Sequence, residues 1–366
     1  MDAQPVDPSN RASNRRPGPP ASSSPGSFYG SIHDPGPDAA RERADLLADV
    51  PSGPLDLPGG AEVRVGTAGW TDKTLTAAGV FYPPGADMAE DRLRYYASRF
   101  SMVEIDSTYY SLPAHKNAEL WAERTPPGFI FDVKAHALMT GQPTEVDRLP
   151  GVLRGALPLE VAEKKRIYGK DLPRKVYDRV WDLFKEALGP LRDAGKMGSI
   201  LLQYPRWLGP SESNRDLILE AKQRLEGWSC AVEFRNSDWF AGGARDLTLQ
   251  FLQEHDLPFV MVDGPQGTRS SVPPIVAVTS PDLALVRFHG RRTETWEKPG
   301  VGVDERFRYL YSPDQLSEWH PRIMDAAGQA RQIHVVMNNC HSNYGTTNAL
   351  EFVRMLQEPL PGFQYG

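Results

Sequence analysis

Eight short apolar runs recur between residues 63 and 339, nearly all of them reaching a charged or amide residue at the C-terminal end. They lie at 63–66, 102–106, 129–134, 200–203, 231–235, 259–263, 285–289 and 333–339, with helical stretches between them. Runs of this length read as buried strands. An octet of strands alternating with helices predicts an α/β fold, a single (β/α)8 TIM-type barrel, over residues 61–366. In that architecture catalytic and binding groups gather at the C-terminal strand ends. The polar ends therefore mark one candidate site, drawn from segments far apart in the chain.

Residues 1–60 differ from the rest. Pro, Gly, Ser, Asp and Arg dominate, as in the stretch 16–26. Such a segment has too little apolar surface to offset the entropy of ordering, so it is expected to be a disordered extension. One helical patch at 39–47 is expected to form transiently or to dock on the body. A net charge of -6 and a pI near 5.8 argue against a broadly basic nucleic-acid surface. No apolar run approaches the roughly 18 residues that span a bilayer, and the N-terminus has no apolar core of a secretory signal. Cys230 and Cys340 fall in or beside strands and read as reduced, buried thiols, which favours the cytoplasm over a bridge between them.

Helix signals follow the strands. Asp87 is placed to cap a helix over 90–100, and a short helix is expected around 118–121. The longest insertion, about 137–198, holds a basic stretch at 164–175 and an amphipathic helix over 176–188. Further helices are expected at 214–225, 244–255, 314–327 and 348–356, but none between 265 and 281, where Pro, Ser and Thr abound.

Side chains alternate across a strand, so Glu104 and Asp106 share the inward face of the second strand. Asp132, Lys134 and His136 pair likewise on the third, Glu233 and Arg235 on the fifth, and Arg287 and His289 on the seventh. Inward charges are costly unless paired with each other or held for a ligand. The structural alternative is a self-satisfied network, Glu104 with Lys134 and Glu233 with Arg235 or Arg287. The functional reading assigns acid–base roles to Glu104, Lys134, Glu233 and His289. It assigns ligand binding to Trp70, Asp106, Tyr109, Gln203, Arg235, Arg287, Asn338 and Asn339. Guanidinium forks match phosphate and carboxylate, so the expected guest is a small anionic ligand. A metal held by Glu104, Glu233, Asp263, His136 and His289 is a weaker reading, because no H-x-x-x-H or Cys-pair spacing is present. No metal site, cofactor or oligomeric state is assigned. Rim aromatics (Trp70, Tyr109, Tyr110, Tyr204, Trp207, Trp239, Phe240) read either as loop staples or as stacking platforms.

The ordered phrases carry a resemblance. Val65-Gly66-Thr67-Ala68-Gly69-Trp70, Phe81-Tyr82-Pro83, the run 103–113 (Val-Glu-Ile-Asp-Ser-Thr-Tyr-Tyr-Ser-Leu-Pro), and Phe131-Asp132-Val133-Lys134-Ala135 resemble the YecE-like family, domain of unknown function 72. So do Gln203-Tyr204-Pro205, Val232-Glu233-Phe234-Arg235-Asn236, Arg287-Phe288-His289-Gly290-Arg291 and Asn338-Asn339. The resemblance covers about 63–356 and implies an eight-stranded barrel with enzyme-like members. The chain departs from that pattern at Asp106, where Asn is usual, at Asn236, where His is common, and at Gly141, where His is often seen. These departures weaken a metal-site version of the family. The resulting reading is an enzyme or enzyme-like binder of a phosphorylated or carboxylated ligand at the barrel mouth. Two others remain open, a non-catalytic binding barrel and a nucleic-acid-binding or metal-dependent endonuclease-like barrel, the latter disfavoured by the acidic charge.

Overall fold

The computed structural model describes residues 34–268 and 270–358. All eight expected strands form: β1 Glu62–Thr67, β2 Met102–Ile105, β3 Ile130–Lys134, β4 Met197–Tyr204, β5 Cys230–Phe234, β6 Val260–Asp263, β7 Leu283–Phe288 and β8 Gln332–Met337. They build two parallel sheets in a mixed α/β fold. One runs β2-β3-β4-β5; the other runs β1-β8-β7-β6, extended past β1 by the antiparallel pair Leu55–Asp56. Isolated parallel bridges join the sheets edge to edge, Ala68 with Glu104 at one seam and Val232 with Phe259 at the other.

Alternation sorts the strand residues into two cores. Val103, Ile105, Phe131, Val133, Ile200, Leu202, Val286 and Phe288 belong to the large cluster that includes the helix residues. Leu201, Ala231, Val260, Val262 and Leu285 form a separate small cluster on the opposite strand face. The charged residues share that second face: Arg287 of β7 reaches both Glu104 of β2 and Glu233 of β5. His334 of β8 reaches Asp132 of β3, whose Oδ1 also accepts from the Ser199 amide at 2.7 Å.

The helices follow the apolar periodicity. They are α1 Gly36–Asp45, α2 Ala89–Ala97, α3 His115–Glu123, α4 Arg174–Asp193, α5 Glu212–Arg224, α6 Ala244–Glu254, α7 His320–Ala327 and α8 Tyr344–Gln357. In α4, Val176, Val180, Trp181, Phe184, Ala187, Leu188 and Leu191 are buried, and the helix packs on α3. Ser211 caps α5 by accepting from the Asn214 amide, a contact worth about 1 kcal/mol. Asp87 does not cap α2; the N-cap is Met88, with no side-chain cap. The helix expected over 314–327 is two pieces, Pro313–Ser317 and α7, because Pro321 has no N–H to continue the first. Among the described residues between β6 and β7 no helix forms, as expected.

The N-terminal segment departs in part from the expected disordered extension, and the helical patch expected at 39–47 forms and docks as α1. Residues 1–33 of the predicted extension lie outside the described residues, but 34–60 are not free coil. Helix α1 packs on α8, with Arg43 bidentate to Glu351 at 2.7 and 2.6 Å. Asp34 bonds Tyr344 and Arg308, each at 2.5 Å. The docking surface is small but specific: Ala40 is fully buried beside Leu310 and Tyr344. These charge-assisted contacts offset the ordering entropy that composition alone could not.

Candidate functional site

The strand ends open into a cavity of about 500 Å³. Six expected residues line it: Asp106, Tyr109, Lys134, Gln203, Arg235 and Asn338. The remaining expected residues fall elsewhere. Glu104, Glu233, Arg287 and His289 are buried and absent from the cavity wall. Trp70 stands edge-on to Trp121 with ring centroids 6.0 Å apart and near Phe131, and it lines an adjoining cavity together with Asp72 and Asp106. Asn339 donates to the Tyr309 carbonyl and the Asn348 side chain, both at 2.8 Å, which makes it a brace between segments.

The buried layer is a continuous network. Arg287 Nη2 donates to Glu104 Oε1 and its Nη1 to Glu233 Oε2, both at 2.5 Å. Arg235 also pairs with Glu233. His289 Nε2 lies 3.2 Å from Glu233 and 3.0 Å from Arg235 Nη2, while its Nδ1 lies 2.8 Å from Asn338 Nδ2. The expected Glu104–Lys134 pair does not form. Lys134 instead meets Asp106 at 2.8 Å and sits 4.9 Å from the Tyr109 ring centroid. Arginine reaches Glu104 from across the sheets, whereas the shorter lysine serves the carboxylate nearer the mouth.

Burial shapes the titration of this layer. It pushes Glu104 up to about 7, only partly offset by Arg287. It pushes Glu233 up as well, but Arg235 and Arg287 outweigh it and hold that carboxyl well below its usual range. Asp106 likewise stays low because Lys134 overcomes burial. Burial, reinforced by Arg235, drives His289 down to about 3. At neutral pH the imidazole is thus a neutral hydrogen-bonding group.

Several wall residues escape sequence reading. Trp296, Lys298, Arg306 and Phe307 come from the β7–β8 connection, which folds over the mouth. The Arg235 guanidinium lies 5.3 Å from the Trp296 ring centroid. No strand-end position signals these residues; only the cluster of aromatic and basic residues in 291–308 hints at them. Asp72 also lines the cavity, and burial plus the nearby Asp106 raises it to about 6. Cys340 lies on the same wall with its thiol on the Ala68 carbonyl, and burial holds it protonated. Of the residues considered for a metal, Asp263 is occupied by Arg291, Tyr311 and Trp319, each at 2.7 Å. Among the described residues no three His, Cys, Asp or Glu side chains converge as a ligand set.

A model of the family described as "Protein of unknown function DUF72" matches residues 64–364, from within β1 to beyond α8. The chain belongs to the DUF72 family. Among similar relatives, the UPF0759 protein YunF of Bacillus subtilis is 28% identical over 297 residues, covering 80% of this chain and 94% of that protein. A solved DUF72 family protein from Thermotoga maritima is 28% identical, with a TM-score of 0.63 over 81% of this chain and 99% of that one. Another from Enterococcus faecalis has a TM-score of 0.63 at 22% identity, over 83% and 100% of the two chains, and bears on the fold alone. The residues at positions 106, 236 and 141, read above as departures from the family pattern, have structural uses here. Asp106 takes Lys134. Asn236 accepts from the Asp238 amide and donates to the Arg206 carbonyl. Gly141 adopts a φ of 72°, a left-handed turn that a side chain would strain.

Proposed function

We propose that this chain is an enzyme or enzyme-like binder of a small anionic ligand, phosphorylated or carboxylated, at the mouth of one closed (β/α)8 barrel. Support for closure comes from the strand order within each sheet and the two bridges at the seams. Arg235 carries the ligand reading. Its inner edge is tied to the fully buried Glu233, Trp296 flanks its guanidinium, and the side chain lines the cavity. A planar fork fixed in this way meets phosphate or carboxylate with little further loss of entropy. Lys134, Arg206, Lys298 and Arg306 add positive charge around the same space.

The acid–base part of the proposal rests on carboxyl groups pushed apart by their surroundings, the usual mark of a working pair. Asp106 is held charged at the cavity, Asp72 beside it is raised, and Glu104 below has a buried Oε2 without a hydrogen-bond partner. Two free thiols suit a reducing compartment, so a cytoplasmic location belongs to the same proposal. No helix among the described residues is long and apolar enough to cross a membrane. In the insertion, Lys164, Arg166 and Arg174 pair with Asp171, Glu145 and Glu220, which leaves the basic stretch a poor track for nucleic acid.

Titration with inorganic phosphate and sugar phosphates tests the reading. Ligand well above its Kd should raise the Tm by roughly a few degrees in a chain of this size. Arg235→Gln, which keeps a hydrogen-bonding group beside Glu233, should remove the rise. Indifference of the Tm to every anion, or a rise that survives the substitution, overturns the proposal.

A further inference from the structure

We infer that the ligand is extended, with its anionic head in the mouth cavity and a flat apolar arm crossing Trp207 into a second pocket; this rests on the anion-binding reading above. The second pocket, of about 490 Å³, lies between the β3–β4 insertion and α5. Trp207 lines both cavities, so the two spaces adjoin at that residue. Each has the size of a small-molecule site.

The two spaces differ in chemistry. The mouth gathers unlike charges and amides. The side pocket offers the apolar surfaces of Leu172, Leu208 and Leu217 and the ring of Tyr177. The basic residues on its rim are already engaged: Arg174 pairs with Asp178 and Glu220, and Lys170 lies over the Tyr168 ring at 5.7 Å. A second anion therefore finds little there, whereas an aromatic ring finds walls to fill. Trp207 itself is 55% exposed. A large ring left open between a charged cavity and an apolar one is a platform for a planar group that spans both. The pocket wall is also closely built. A Cβ at Gly169 would sit 2.8 Å from the Tyr177 ring and 3.1 Å from the Leu138 carbonyl, so a side chain there would push the Tyr177 ring aside.

Calorimetric titration of the full chain with inorganic phosphate, phenyl phosphate and 1-naphthyl phosphate separates head from arm. Affinity should rise along the series, by about tenfold or more for the naphthyl ester over phosphate, from the apolar area buried. Trp207→Ala and Leu217→Gln should each remove most of that gain, and Leu217→Gln should leave inorganic phosphate binding unchanged. Phosphate binding with no gain for either ester, or a gain that survives both substitutions, overturns the arm alone. Failure of all three compounds to bind overturns the anion reading and the arm with it.

Discussion

Arg287 illustrates how single residues in this molecule are decided by their neighbours. Its side chain has no exposed surface, yet it carries full charge because two carboxylates meet it at 2.5 Å. Either carboxylate alone would leave the network unbalanced, since a buried ion is tolerated only with good partners. His289 responds oppositely: burial, reinforced by the neighbouring Arg235, makes it refuse a proton, with its pKa lowered from 6.5 to about 3. Below pH 6.5 the unfolded chain takes up a proton that the folded chain rejects, so stability falls as pH drops from about 6.5 towards 3. Glu104 has the reverse sign. Raised from 4.5 to about 7, it lets the folded state hold the extra proton, and stability falls as pH rises through that window. His289→Gln should therefore remove the His289 contribution and leave the opposing Glu104 slope, so that the variant's stability falls off less on acidification than the parent's. Urea unfolding between pH 7 and 4 checks this, and an unchanged acid slope would refute it. The inward set of charged residues was legible from strand alternation. Their pairing was legible in part: Glu233 meets both Arg235 and Arg287 as read, whereas Glu104 takes Arg287 rather than Lys134, because the two cations differ in reach and come from strands whose separation no local pattern encodes.

Elements were read well where periodicity is strong and poorly where a segment owes its structure to what it touches. Strands β1–β8 and helix α4 follow from apolar runs and spacing alone. Helix α1 is legible only as a patch at 39–47 expected to form transiently or to dock, because its composition resembles that of a disordered tail and its order comes from Arg43, Asp34 and the buried Ala40. Arg43→Ala should cost about 1.5–3 kcal/mol, the range for hydrogen bonds to charged groups, discounted towards the lower end because Arg43 keeps some exposure. The expected result is a lower urea midpoint at constant m, with faster amide exchange confined to α1 and the start of α8. A midpoint within error of the parent would show that α1 docks without this pair. The first part of the β7–β8 connection is another such element: it contributes Trp296 and Phe307 to the cavity wall, although only a cluster of aromatic and basic residues in 291–308 hints at that part.

At the level of the whole molecule, the seam between β1 and β2 governs how the two sheets meet. A Cβ on Gly66 would lie 2.2 Å from the Met102 carbonyl oxygen, a contact that backbone cannot relieve without moving a strand. Gly66→Ala should destabilise by about 1–3 kcal/mol through overpacking, whereas Gly53→Ala, with nothing within 4 Å, should stay within about 0.5 kcal/mol. Equal denaturation midpoints for the two variants would contradict this account of the seam. The sequence by itself determined the strand octet, the helix faces and the list of inward charges, because period and burial are local properties that each segment writes independently. Only the tertiary structure decided that Glu104 pairs with Arg287 and Lys134 with Asp106, which charges face open space, and that a distant connection joins the wall. Those outcomes depend on distances between segments some 30 to 200 residues apart, as in the Asp106–Lys134 and Asp132–His334 pairs. Such distances exist only once the sheets have met.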